Sequence, residues 1–247
     1  MLIAGNWKMN GSLADIGSFA DALSKNIRKA GEVSLLICPP SIFIHPLMGA
    51  FAKAGLSDRV SVGAQDCHVA ESGAHTGDVA AAMIAEARCS HIIVGHSERR
   101  TDHLEDSALV KSKAEAAIRA GLTAIVCIGE TEAQHQAGET DAVLAAQIRG
   151  SLPAGATAGN TVIAYEPVWA IGTGLTPSLT DIENAHRHIA EIAGEMVQGQ
   201  VPAILYGGSV KPSNAAEILA VEGVGGALVG GASLKAEDFL GIAAAAP

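Results

Sequence analysis

The sequence predicts an α/β protein: a closed (β/α)8 barrel occupying residues 1–247 as a single domain. Three observations carry that expectation. Short runs rich in Val, Ile and Leu recur eight times, about 31 residues apart, within the size of a βα repeat. Helical patterns alternate with them. No G-x-G-x-x-G fingerprint follows the first run, which favours a closed barrel over an open doubly wound sheet.

Strands are expected at 2–6, 34–38, 60–64, 91–94, 123–128, 161–166, 203–206 and 226–229. Helices are expected at 15–29, 40–53, 78–87, 106–119, 133–149, 179–197 and 212–221, with a short one after Ser233. Thr180-Asp181 and Pro212-Ser213 supply first-turn chemistry, and Gly31 and Gly121 are placed as C-caps. Apolar residues are 49% of the chain and aromatics only 3%, which suits helices packed on a parallel sheet buried on both faces.

Acidic residues number 26 against 16 basic ones, so a basic nucleic-acid footprint is not expected. The longest apolar runs fall far short of the roughly 18 residues a membrane span needs. Asn6 and Lys8 interrupt the apolar start at once, so no signal peptide is expected and the cytoplasm is the expected location. Cys38, Cys67, Cys89 and Cys127 lie far apart without a CxxC pair and are expected to be reduced. His186 and His188 are two apart on a helix and face different ways, so they do not make a metal pair.

In such a barrel the chemistry sits at the carboxyl ends of the strands. The sixth strand ends on Glu166, and Pro167 stops it. Val168, Trp169, Ala170, Ile171, Gly172 and Thr173 then form a partly apolar hinged loop. A carboxylate ahead of such a loop reads as a base with a lid. After the first strand, period-two alternation places Asn6 and Lys8 on one side, an amide and a cation at the barrel mouth or else a snorkelling surface lysine.

The fourth strand is followed by Gly95-His96-Ser97-Glu98-Arg99-Arg100. His96 at the start of a short helix would be a neutral donor, because backbone N–H groups disfavour the imidazolium. Arg99 and Arg100 read as structural ion-pair partners, and Glu98 as either. The third loop, residues 65–77, is long enough to be a functional or interface segment, or a mobile surface loop. Cys127 reads as a small buried hydrophobe. Gly207-Gly208-Ser209 and Gly230-Gly231-Ala232-Ser233, with Gly172, fit a shared phosphate site built from backbone N–H groups; close helix–strand packing is the alternative.

Taken together, Gly5-Asn6-Trp7-Lys8-Met9-Asn10, Val94-Gly95-His96-Ser97-Glu98-Arg99-Arg100, Ala164-Tyr165-Glu166-Pro167-Val168-Trp169-Ala170-Ile171-Gly172-Thr173-Gly174 and Tyr206-Gly207-Gly208-Ser209-Val210 resemble the triosephosphate isomerases over the whole chain. Several of these roles are worked examples in general accounts of enzyme mechanism. The resemblance implies a TIM barrel that interconverts dihydroxyacetone phosphate and D-glyceraldehyde 3-phosphate through an enediolate, in glycolysis and gluconeogenesis, without cofactor or metal. It implies Glu166 as base, His96 as electrophile, Lys8 and Asn6 as substrate contacts, and Gly172, Ser209, Gly230 and Gly231 around the phosphate. It implies a lid over 168–173 and a homodimer in which the third loop, with Gln65 at its start and Thr76 near its tip, enters the neighbour.

The chain departs from the family at Leu175-Thr176-Pro177, where Pro177 is expected to stiffen the hinge. It also departs at Thr101-Asp102-His103-Leu104, which concerns packing, and at Asp66, in place of asparagine, which is expected to alter the pH response of the interface. Two other readings remain open on the residues alone. One is a Schiff-base aldolase using Lys8; the other is a phosphate-sensing barrel without turnover.

Overall fold

The computed structural model describes residues 1–171, 176–197 and 199–247. Its strands are β1 (Leu2–Asn6), β2 (Ser34–Cys38), β3 (Val60–Ala64), β4 (His91–Val94), β5 (Thr123–Ile128), β6 (Thr161–Tyr165), β7 (Ala203–Tyr206) and β8 (Gly226–Val229). Each pairs in parallel with the next, and β8 pairs back onto β1, closing the barrel. That last seam depends on Gly226. Its φ is +148°, and a Cβ there would stand 1.9 Å from the Leu2 carbonyl oxygen.

Alternation along the strands produces two cores. Ala4, Leu36, Ile93, Ile125, Ala164 and Leu205 point inward and fill the barrel. Their neighbours Ile3, Leu35, Ile92, Val126 and Ile163 point outward and pack beneath the helices. Apolar residues on both faces are what the near-continuous Val/Ile/Leu runs require.

The helices are α1 (Leu13–Asn26), α2 (Ile44–Lys53), α3 (Ala81–Glu86), α4 (Ser97–Asp102), α5 (Ser107–Arg119), α6 (Glu132–Gln136), α7 (Thr140–Ser151), α8 (Leu179–Met196), α9 (Ala215–Leu219) and α10 (Ala236–Ala243). Several differ from expectation at their ends. The stretch 133–149 is two helices, not one, because Gly138 turns the chain at φ +72°. The first helix starts earlier, where Ser12 accepts the Asp15 N–H. The eighth does start at Leu179 with Thr180 and Asp181 in its first turn, as expected, and Ser178 caps it in a capping box with Asp181. The stretches 78–87 and 212–221 shorten to α3 and α9. The sixth strand ends at Tyr165, one residue before Glu166.

Gly31 and Gly121 both take positive φ at helix ends, as a C-cap requires. The four cysteines are free and buried. Among the described residues, no helix is long and apolar enough to cross a membrane.

Candidate active site

The carboxyl ends of β1, β4, β6, β7 and β8 surround one cleft of about 690 Å³. Asn6, Lys8, His96, Glu166, Ile171, Ser209, Gly230 and Gly231 all line it. Gly172 and Thr173 of the expected lid, and Leu175 of the hinge, lie outside the described residues.

Glu166 is held from three sides. Its backbone N–H donates to the Ile128 carbonyl at 2.7 Å. Its Oε1 lies 2.9 Å from His96 Nε2, and its Oε2 accepts the Ser97 backbone N–H at 2.9 Å. The side chain is buried. Burial pushes the carboxyl pKa up. The hydrogen bonds from His96 and the Ser97 N–H, with the Lys8 ammonium nearby, oppose it and favour the carboxylate, holding the group below the usual carboxylate range. In this arrangement Glu166 is a hydrogen-bonded carboxylate.

His96 is the N-cap of α4. Its Nδ1 accepts the Glu98 backbone N–H at 3.2 Å, which leaves the ring proton on Nε2, facing Glu166. Burial disfavours the imidazolium, while the Glu166 carboxylate favours it and carries the net push upward. The lone pair required at Nδ1 assigns the neutral ring with an Nε2 donor, in keeping with the sequence reading.

Asn6 and Lys8 do meet in the cleft, but not by strand alternation. β1 ends at Asn6, and Lys8 takes φ +52°. The Lys8 N–H donates to Asn6 Oδ1 at 3.0 Å, so a tight turn sets the pair. Lys8 Nζ reaches Glu98 at 2.6 Å. That engages the ammonium with a carboxylate, instead of presenting the free amine a Schiff base needs.

The two glycine pairs have different causes. A Cβ on Gly207 would stand 2.9 Å from Glu166 Cγ, and one on Gly208 would stand 2.2 Å from Tyr206 Oη. Those two glycines are demanded by packing. A Cβ on Gly230 would meet only Lys8 Cε, at 3.7 Å, and one on Gly231 would meet nothing within 4 Å. There the missing side chain leaves room in the cleft, with the ammonium nearby. Ser209 Oγ donates to the Ala170 carbonyl at 2.7 Å, tying the loop after β7 to the loop after β6.

The triosephosphate isomerase family model matches residues 1–246. The chain belongs to the triosephosphate isomerase family. It is 59% identical to the triosephosphate isomerase of Bradyrhizobium diazoefficiens, covering 100% of this chain and 97% of the relative. Against the Rhodopseudomonas palustris enzyme the identity is 56% at the same coverage. The crystal structure of triosephosphate isomerase from Bartonella henselae superposes with a TM-score of 0.88 at 43% identity, covering 98% of this chain and 96% of that one.

Around this triosephosphate isomerase cleft lie residues that sequence reasoning did not find. The Ser97 N–H on Glu166 is a backbone group, invisible to a side-chain motif. Lys211 and Lys235 join the cleft wall beside the glycine pairs; each follows its pair within a few residues, a signal that went unused. Glu130 is fully buried and receives Trp169 Nε1 at 2.7 Å and Tyr165 Oη at 3.2 Å on one oxygen. Its burial raises its pKa despite those donors. The segment expected as a lid thus begins with a 3-10 turn, Val168–Ala170, whose indole also stacks on His135.

The third loop divides into two parts. Gln65 turns inward, and its Nε2 donates to the Lys8 carbonyl at 3.0 Å and the Cys38 carbonyl at 2.8 Å. It braces the first loop of its own chain. Residues 71–78, including Thr76, are exposed. Asp66 is engaged within the chain, by Lys113 at 2.7 Å and Arg99 at 2.9 Å. Arg99 pairs with Asp66 and Glu105, as expected of an ion-pair partner, whereas Arg100 instead donates to the Gly95 and Cys127 carbonyls. His68, His75 and Asp78 bring ligand atoms within 4.8 Å. His68 Nδ1 already accepts the Ala70 N–H, and the two imidazoles lie tilted at 34° with centroids 4.0 Å apart.

Proposed function

We propose that the chain interconverts dihydroxyacetone phosphate and D-glyceraldehyde 3-phosphate, with Glu166 as the base and His96 as the electrophile. The observation that carries the proposal is the 2.9 Å contact between Glu166 Oε1 and a His96 whose other nitrogen is already an acceptor. One group is an anion able to take a proton; the other is a neutral donor able to polarise a carbonyl.

The substrate carbonyl would take the His96 Nε2–H that Glu166 now occupies. Freed from that bond, Glu166 removes a proton from the carbon beside the carbonyl. The electron pair of that C–H bond forms the enediolate C=C bond, and the carbonyl oxygen gains negative charge. His96 stabilises that oxygen, and Lys8 adds positive charge. His96 passes the hydroxyl proton from one enediolate oxygen to the other, and returning the carbon-bound proton to the neighbouring carbon completes the isomerisation with no net gain or loss of atoms. Losing one donor aimed at such an oxyanion typically costs on the order of 3–4 kcal/mol.

Ser209, Gly230, Gly231 and Gly172 are assigned to the phosphate, and residues 168–173 to a lid that excludes water from the enediolate. The room at Gly230 and Gly231 beside Lys8 supports the first assignment. The chain is further proposed to act as a cytoplasmic homodimer through residues 65–77. Met9 and Leu104 are 95% and 85% exposed, and they sit beside the Lys8–Glu98 bridge and the end of α4. Exposed apolar side chains beside an exposed loop are what a partner would cover.

A coupled assay started with glyceraldehyde 3-phosphate tests the function directly. The expected result is formation of dihydroxyacetone phosphate without added cofactor. Binding without turnover would favour a phosphate sensor, and borohydride trapping at Lys8 would favour an aldolase.

A further inference from the structure

Gln147 lies on α7, outside the cleft. Its side-chain amide clamps a single residue. The Gly129 N–H donates to Gln147 Oε1 at 2.8 Å, and Gln147 Nε2 donates to the Gly129 carbonyl at 2.9 Å. One planar amide thus satisfies both polar groups of one backbone residue at the end of β5.

That residue lies against the base. A Cβ on Gly129 would stand 1.7 Å from the Glu166 carbonyl oxygen, so the contact is backbone on backbone. On either side of Gly129, the Glu166 N–H donates to the Ile128 carbonyl at 2.7 Å and the Val168 N–H to the Glu130 carbonyl at 3.0 Å. The chain from 166 to 168 therefore hangs on residues 128 to 130, and Gln147 holds the middle of that span.

The far end of the clamp is itself anchored. Leu144 and Ile148 bury the inner face of α7. Arg100 NH2 donates to Ser151 Oγ and to the Cys127 carbonyl, both at 3.0 Å, while its Nε donates to the Gly95 carbonyl at 2.9 Å. Gly95 precedes His96. The turn that carries the electrophile and the strand end that supports the base are thus tied to the same helix.

We infer that Gln147 is a positioning residue for the base: its amide sets the Gly129 peptide, which sets where Glu166 sits. The inference rests on the proposed role of Glu166. A displacement of about 1 Å at a reacting group can cost on the order of 100-fold in rate, so a residue with no contact to substrate can control turnover.

The test uses Gln147→Met, which keeps length and removes both polar atoms, and Gln147→Glu, which keeps the acceptor for the Gly129 N–H. For Gln147→Met, kcat is expected to fall by about 10- to 100-fold, with KM for the triose phosphate changed by less than about threefold. Substrate deuterated at the transferred position should show a larger isotope effect on kcat than in the wild type, because proton transfer becomes the slower step. For Gln147→Glu, activity relative to wild type should rise as pH is lowered, since the protonated carboxyl can donate to the Gly129 carbonyl as the amide does.

Gln147→Met with kcat within about threefold of wild type overturns the inference. So does a loss of kcat that matches the loss of folded protein and leaves the isotope effect unchanged. Glu166→Asp is measured alongside. If it retains turnover, the base assignment fails; if it loses turnover while Gln147→Met does not, only the positioning role fails.

Discussion

Both carboxylate oxygens of Glu166 are occupied, one by His96 Nε2 and one by the Ser97 N–H. The side chain must exchange these bonds for a C–H proton, so its reach is decisive. Glu166→Asp withdraws the carboxylate by one methylene. It is expected to lower kcat by about 100-fold or more, with KM changed far less, in the coupled assay; near-wild-type turnover would remove Glu166 from the role of base. A second residue-scale prediction concerns Glu105. Its Oε1 receives Lys113 Nζ at 2.6 Å and Arg99 Nε at 2.7 Å, and its carboxylate is buried. Burial raises its pKa, but the two cations outweigh burial and leave it below the ordinary value. A carboxyl with a depressed folded pKa contributes stability above the unfolded pKa of roughly 4.3 and loses it as pH falls through the folded value. Glu105→Gln is therefore expected to cost about 2 kcal/mol near neutral pH, because it weakens one charge-assisted bond each to Lys113 and Arg99 while Asp66 still pairs with both. Denaturant midpoints should show the gap to wild type closing as pH falls below roughly 4; a gap independent of pH would sink the linkage.

At the scale of elements, apolar periodicity located the strands but not the helix ends. The reason is that ends are set by local hydrogen bonds and single glycines. Gly138 broke a stretch that reads as continuous, and Ser178 caps α8 because its hydroxyl reaches the Asp181 N–H. Ser178→Ala is expected to cost about 1 kcal/mol, which for a chain of this size lowers the melting temperature by roughly 2–4 °C. Thermal melting with parallel turnover checks this. A stability change with kcat untouched is expected, since no described atom of Ser178 lines the cleft. Element ends also explain the first loop. Asn6 and Lys8 were read as strand neighbours, but the strand stops at Asn6 and a left-handed residue brings the lysine back.

At the scale of the whole molecule, the barrel brings five strand ends to one mouth, and assembly is the next level. The exposed Met9, Leu104 and residues 71–78 lead to an expected mass near twice the chain's 25.0 kDa, by sedimentation at micromolar concentration. Met9→Glu places a charge in the proposed interface and should weaken the dimer by at least about tenfold. A monomeric mass for the wild type would contradict the assembly.

The sequence by itself determined the barrel and its order, because strands buried on both faces leave a run of apolar residues whatever surrounds them. It also marked Glu166, His96 and Lys8, since charged groups directly after such runs stand out against them. Only the tertiary structure decided how those groups are held. The Ser97 N–H, the Gln65 brace and the Gln147 clamp are contacts between residues 57 to 69 positions apart, or between a helix and a loop 18 residues away. Polar residues on a helix or loop look alike in a sequence, and their partners are backbone groups that every residue carries. Which peptide each one meets is settled when the strands close side by side.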